Sequence, residues 1–305
     1  MARVSGEDLV VAAPVARPAY ARHRRYLLFV LPALLLILVV IAFPWAFTLW
    51  MSLNEWQVAS AREFVGFQNY LDLARDSRFL QSIGRTFYFT ALAVVLPVVF
   101  GTLAALIFHQ EFPWRGFFRG VFILPMMATP AAVALIWTMM FHPQQGVLNY
   151  VLSVVGLPKS LWAFAPDTVI PSLVLVEVWH WTPLVMLIVL GGLAAIPTDP
   201  YESALIDGAN AWQTLRHITL PLVMPFVMVA VVLRTIDALK AFDTIYVITQ
   251  GGPGTASETI NIFLYLQAFA FYKIGYASAV VVVFFLIIVL LSMLLLYARR
   301  RTVWA

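Results

Sequence analysis

The chain has 305 residues, of which 62% are hydrophobic and only 11% charged. Soluble domains are about 45–50% apolar and about 25% charged, and a chain this short has too little polar material to coat so much apolar surface. These proportions exclude a soluble enzyme, a disordered chain and a nucleic-acid module, and leave a polytopic membrane protein. Lys and Arg number 19 against 15 Asp and Glu, a net charge of +4 too small and too scattered to imply an anionic partner. There is no cysteine, so disulfide, zinc-thiolate and thiol chemistry are excluded as well.

Residues 1–25 are polar, Arg-bearing and dotted with proline, and read as a cytoplasmic tail. They are not a signal peptide, because the apolar run that follows exceeds the roughly 7–15 residues of such a segment and no small-residue cleavage site is present. A bilayer core takes about 20 apolar residues of helix. The first span is placed at about 26–53, within 29 uncharged residues between Arg25 and Glu55. The second, at about 86–108, lies within the 25 between Arg85 and Glu111. The third follows at about 118–141, and the fourth at about 169–196, broken only by Glu177. The fifth, at about 218–240, continues past Arg234, and the sixth occupies 274–298, within 25 uncharged residues. The expectation is an all-α membrane domain over 26–298 with a short tail at 299–305. Six spans put both termini on one side. With the N-terminus inside, the cytoplasmic segments hold eleven basic residues and the outer ones six, so both ends are expected in the cytoplasm. There is no Walker A pattern.

One polar stretch interrupts this pattern on the cytoplasmic side, residues 198–221 between spans four and five. Asp199 suits a helix N-cap, Pro200 a first helical position, and Glu202 the capping-box position. Gly208 suits a left-handed C-cap. Asn210 then starts a second short helix, with Gln213 three residues on. Such short helices do not hold in water alone, so the pair must pack on something, offering Tyr201, Ala204 and Leu205 and then Trp212 and Leu215. A connector on the membrane surface and a docking element for a cytoplasmic partner both satisfy the pattern.

Glu202-Ser203-Ala204, three residues, Gly208, nine residues and Ile218-Thr219-Leu220-Pro221 resemble the EAA motif of bacterial ABC importer permeases, with Ser203 in place of the central alanine. The chain from Tyr26 to Arg301 is similar to the six-span permeases of the maltose-type carbohydrate-uptake branch. The stretch Phe242-Asp243-Thr244-Ile245-Tyr246-Val247-Ile248-Thr249-Gln250-Gly251-Gly252-Pro253-Gly254 resembles the first of that branch's two permeases. The extra N-terminal spans and large external domain of the enterobacterial maltose protein are absent. The resemblance implies a type I (MetI-like) permease fold in the bacterial inner membrane, with no catalytic residues and no cofactor of its own. It further implies a second homologous permease, two ATP-binding subunits that hold ATP and Mg, and a periplasmic or lipid-anchored solute-binding protein, all assembled within membrane lipid. Glu202 would meet a basic group on an ATP-binding subunit. Gly208 would supply a bend, Ser203 and Ala204 would allow close approach, and Ile218, Leu220 and Pro221 would lead the chain back into the bilayer.

Ionisable groups within spans cost about 2.5–3.5 kcal/mol each on insertion scales, so each needs a partner or water. Arg234, Asp237, Lys240 and Asp243 alternate in sign at i,i+3 spacing, which reads either as a self-neutralising ladder on one helix or as a polar lining of a solute path. Glu177 and Trp181, one turn apart on span four, combine a carboxylate with an aromatic face as sugar sites do, and also fit an interfacial aromatic belt. With Tyr246 these residues form the candidate solute path. His180 reads as a structural group, and the remaining histidines make no metal constellation. The turn Gly251–Gly254 is expected to join span five to a short outer helix near Ser257–Phe271. A stand-alone secondary carrier or channel is the alternative. It leaves the capped cytoplasmic pair unexplained, and an intramembrane protease lacks a serine in a suitable setting.

Overall fold

A computed structural model describes residues Tyr20–Val303, with side chains from Phe29 to Arg299. The chain divides into a unit ending at Thr48 and a main unit, Leu49–Ala305. The tail read over 1–25 falls largely outside the described residues, although helix α1 (Tyr20–Ile37) already begins at Tyr20. A π-helical turn, Leu38–Ala42, leads to α2 (Phe43–Ser52).

The main unit opens with a small antiparallel hairpin, β1 (Asn54–Glu55) with β2 (Glu63–Phe64), followed by α3 (Gln68–Arg75). The side chain of Asp76 accepts from the N–H groups of Arg78 and Phe79 and so starts α4 (Ser77–His109, 33 residues). Where the third span was placed, at about 118–141, two helices meet at 96°: α5 (Arg115–Met127) and α6 (Pro130–Met140). Pro130 cannot donate a helical hydrogen bond, and Thr129 caps the new helix through Ala132 N–H, so the sequence stops one helix and starts another. Next come α7 (Val147–Val154) and α8 (Pro166–Ala194), then the short pair α9 (Asp199–Ile206) and α10 (Ala211–Thr214). A π-helical turn, Leu215–Thr219, joins α10 to α11 (Leu220–Leu239). The short α12 (Asp243–Thr249) and α13 (Ile260–Tyr265, extended by a π-turn to Ala270) precede α14 (Ile274–Val303). Among the described residues five helical stretches are long and apolar enough to cross a membrane, and the bent pair α5–α6 makes a sixth if counted as one span.

Helix α8 is the axis of the main unit, buried along most of its length. Its N-terminal half packs Leu173 and Val174 with Phe89 and Ala93 of α4, Ile245 of α12 and Ile262 of α13. The other half packs Val185, Met186 and Val189 with Ala105 of α4 and Val223 and Ala230 of α11. Lipid tails are as apolar as these side chains, so close fit rather than water exclusion drives such contacts. Gly101 shows how close: a Cβ there would lie 2.6 Å from Val185 Cβ and 2.9 Å from the Thr182 carbonyl oxygen.

A second close approach fixes the hairpin. Gly275 N–H donates to the Trp56 carbonyl at 3.1 Å, and Val58 N–H to that of Tyr272 at 3.1 Å. A Cβ on Gly275 would collide with the backbone carbonyl of Asn54. Gly275→Ala is therefore expected to destabilise the protein by about 1–3 kcal/mol, read as a lower thermal midpoint in detergent. A wild-type midpoint would show that the hairpin moves freely against α14.

Candidate functional site: a charged intramembrane cavity and a cytoplasmic helix pair

The cavity grows from the contact of α8 with α11. Arg234 and Glu177 face each other, with Arg234 Nη2 donating to Glu177 Oε2 at 2.8 Å. Their side chains are 1% and 5% exposed. The guanidinium also stacks on Trp181, 4.8 Å from the ring centroid, and reaches the Ala93 carbonyl of α4 at 3.4 Å. Its Nε has no hydrogen-bond partner. Next to Trp181, the buried His180 places Nε2 3.2 Å from the Ala128 carbonyl oxygen, at the break between α5 and α6. The bent span is thus tied to α8 beside the ion pair.

Six of the seven candidate path residues line one cavity of about 240 Å³: Glu177, Trp181, Arg234, Asp237, Lys240 and Asp243, with Pro130, Phe242 and Thr244. Tyr246 stands apart, stacked on Phe242 (5.1 Å) and edge-on to Tyr265 (4.8 Å). The one-helix charge ladder does not form. Helix α11 ends at Leu239, Lys240 caps it, and Asp243 opens α12, so the i,i+3 register is lost after Asp237. Arg234 instead pairs across to α8. Glu177 and His180 are buried among helices rather than placed in an interfacial belt, while Trp179 is exposed as a belt residue would be.

At the other end of the unit lies the helix pair. Asn210 and Gln213 form a reciprocal capping box, with backbone-to-side-chain distances of 2.8 and 3.0 Å, as their spacing requires. Gly208 takes φ +75° between the two helices. The start of α9 differs from the expectation. Thr198 already has helical angles and accepts from the N–H groups of Tyr201 and Glu202, so Asp199 is the first helical residue and not its cap. Glu202 then sits one position too far along for a capping box, exposed, and its carboxylate makes no hydrogen bond or ion pair to another described residue. Ala204 turns inward at 7% exposure, while Leu205, Ile206 and Trp212 stand 80%, 87% and 66% exposed. An open cleft of about 950 Å³, walled by His109, Tyr201, Ala209 and Leu215 among others, separates the pair from the end of α4.

Two features escape a reading of the sequence. The turn Gly251–Gly254 follows α12 rather than span five directly, and its far side is held by Glu258, 1% exposed, in a bidentate pair with Arg78 (2.8 and 2.6 Å). These two residues lie 180 positions apart, and no local spacing signals such a contact. Nor does any signal point to the His180 tie at the helix break.

Residues 97–303 match the model of the binding-protein-dependent transport system inner membrane component family. The chain belongs to that family. It is a multi-pass inner-membrane permease subunit and carries no catalytic activity. The trehalose/maltose transport system permease protein MalF of Thermococcus litoralis is 38% identical over 249 residues, covering 81% of this chain and 83% of the relative. The protein y4oQ of Sinorhizobium fredii, itself named a probable ABC transporter permease, is 33% identical over 282 residues, covering 89% and 91%. A chain of a bacterial alginate ABC transporter, solved in complex with an alginate pentasaccharide-bound periplasmic protein, superposes with a TM-score of 0.81 at 22% identity, covering 92% of this chain and 96% of that one. The last likeness shows the ABC permease fold.

Proposed function

We propose that this permease forms half of the translocation path of an ATP-driven importer for a sugar, sugar alcohol or related polyol. In this reading it pairs with a second homologous permease, is driven by two ATP-binding subunits that hold ATP and Mg, and receives its solute from an extracytoplasmic binding protein. Both termini lie in the cytoplasm. The segment 198–221 is the coupling element. The observation that carries the reading is the EAA spacing on α9 and α10, because the pair keeps its caps yet leaves Leu205, Ile206, Trp212 and the carboxylate of Glu202 exposed, with no hydrogen bond or ion pair from that carboxylate to another described residue. Exposed apolar side chains clustered with a charge are what a docking surface offers. The permease relatives named for trehalose and maltose support the solute class.

Glu177, Trp181, Arg234, Asp237, Lys240 and Asp243 are assigned to the solute path, with Tyr246 supporting Phe242 at its edge. The cavity falls short of the roughly 300–1,000 Å³ of a complete ligand pocket, as suits a path that a second permease completes. Its aromatic faces and donors and acceptors of both charges match polyhydroxylated solutes.

The test is purification of the tagged chain from its host in mild detergent, followed by identification of its companions and an assay of ATP hydrolysis. A second permease and an ATP-binding subunit, with vanadate-sensitive hydrolysis stimulated by a solute-loaded binding protein, are expected. A lone chain or homo-oligomer without an ATPase would overturn the reading in favour of a gradient-driven carrier.

A further inference from the structure

A cleft of about 330 Å³ lies where the hairpin, α3 and the start of α14 meet. It stands at the Asp76 end of α4, a helix of 33 residues and hence about 50 Å long. The cleft beside α9 and α10 stands at the His109 end. The two therefore open on opposite sides of the membrane, and with the coupling pair inside, the hairpin cleft faces out.

Its lining is chemically one-sided. Three carboxylates, Glu55, Asp72 and Asp76, face it with a single cation, Lys273. Asp76 is committed: Oδ1 caps α4 and Oδ2 accepts from Tyr276 O–H at 2.8 Å. Asp72 Oδ1 accepts from Gln68 Nε2 at 2.8 Å, leaving its second oxygen available, and the Glu55 carboxylate bonds to no described residue. Gln267 lines the same cleft at 6% exposure, and its buried Oε1 has no hydrogen-bond partner. A buried acceptor without a donor is a costly arrangement that a ligand's N–H relieves. The rings of Trp56 and Tyr276 complete the wall.

These groups do not suit a bound metal ion, for among the described residues no three acidic or histidine side chains converge closely enough to share one. They also carry more negative charge than a neutral sugar uses. A cation on a long apolar stem fits better. Such a group sets its stem against the aromatic residues of the wall and carries several N–H donors for the carboxylates and the unpartnered Gln267 amide oxygen.

We propose that this cleft seats a lysine or arginine side chain of the solute-binding protein when that protein docks on the permease. The inference rests on the importer reading above and adds to it the place and the sign of the contact.

The complete transporter, reconstituted in nanodiscs with its co-encoded binding protein, tests this. Affinity is measured at several salt concentrations for wild type, for Glu55→Gln with Asp72→Asn, and for Glu55→Lys with Asp72→Lys. Asp76 is left alone because it holds α4. The charge-reversed complex is expected to bind on the order of tenfold more weakly and to lose most of the salt dependence, with the neutral variant between. Maximal ATP hydrolysis at saturating binding protein is expected to stay at the wild-type level, which separates lost docking from lost folding. Wild-type affinity and salt dependence in both variants would overturn the seat while leaving the importer reading intact. Calorimetric binding of calcium chloride to the wild-type complex, lost in the neutral variant, would overturn it in favour of a cation site. A complex whose hydrolysis ignores the binding protein would bring down both readings.

Discussion

Replacing Glu177 with alanine is expected to destabilise the folded permease by about 3–5 kcal/mol, because it leaves a buried guanidinium without its counter-ion. Arg234 sits 1% exposed between α8, α11 and α4, and 2.8 Å from Glu177 its charge has one ionic partner. The Ala93 carbonyl at 3.4 Å and the face of Trp181 soften the charge without cancelling it. Arg234→Ala is expected to be as harmful, since it strands the carboxylate in turn. Replacing both residues with leucine removes both charges and is expected to recover most of the loss, since a buried pair exchanged for apolar groups is often neutral. The measurement is the thermal midpoint and monodisperse yield of each variant by fluorescence-detected size exclusion. Single variants as stable as the wild type would show that the pair is not needed to hold α8 against α11. The double variant also separates two roles. Restored folding without restored uptake would place the pair on the solute path, whereas full uptake would confine it to structure.

The sequence carries the membrane spans and the coupling pair clearly, for a physical reason. Span length is set by the bilayer, so uncharged runs such as those before Glu111 and after Lys273 mark helices without any knowledge of their neighbours. The capping box of Asn210 and Gln213 and the left-handed Gly208 are likewise decided within a few residues. Partnership is a different matter. Along its own chain Arg234 has one acidic residue close by, Asp237 three positions on, and spacing alone favours it. In the bundle the buried alternative 57 positions away wins, because a carboxylate facing the same dry contact gains more from pairing than one near the mouth of the cavity. The break in the third span was written in Ala128-Thr129-Pro130, but proline is tolerated in membrane helices often enough that the residue alone does not decide between a kink and a turn. What decides here is tertiary: His180 of α8 reaches the Ala128 carbonyl at the break.

The cavity and the helix pair lie on one continuous stretch of chain. Helix α11 carries Arg234 and Asp237 at one end and continues through the π-turn Leu215–Thr219 into α10 at the other. Helix α8, with Glu177 and Trp181, leads through a few residues into α9. Both walls of the charged cavity are therefore rigid helices whose opposite ends carry the exposed pair. Gly192 of α8, where a Cβ would strike the Phe226 ring of α11, marks how closely the two helices pack, and in the proposed importer a displacement of α9 and α10 would reach the Glu177–Arg234 contact along them. This is the shape of a transmitted, two-position movement rather than a local adjustment.

Charge reversal at Glu202 is expected to abolish uptake while leaving the permease folded. Glu202 lies in the exposed face of α9 and its carboxylate makes no hydrogen bond or ion pair to another described residue, so lysine there removes no internal side-chain contact. Any large effect must come from outside the chain. If the pair docks on an ATP-binding subunit, Leu205, Ile206 and Trp212 supply the apolar part of the contact, and Glu202, with Asp199 one turn before it, supplies negative charge. Reversal then sets a cation against the basic group that Glu202 is proposed to meet, and like-charge contacts across an interface cost several kcal/mol. The expected result is loss of uptake and of solute-stimulated ATP hydrolysis, with the two permeases still purifying together and the ATP-binding subunits retained weakly or lost. Glu63→Lys, an exposed reversal on the hairpin at the far end of the unit, is expected to leave hydrolysis coupled. A Glu202→Lys transporter that imports its solute at the wild-type rate would end the coupling role of this segment and return α9 and α10 to the status of a capped connector.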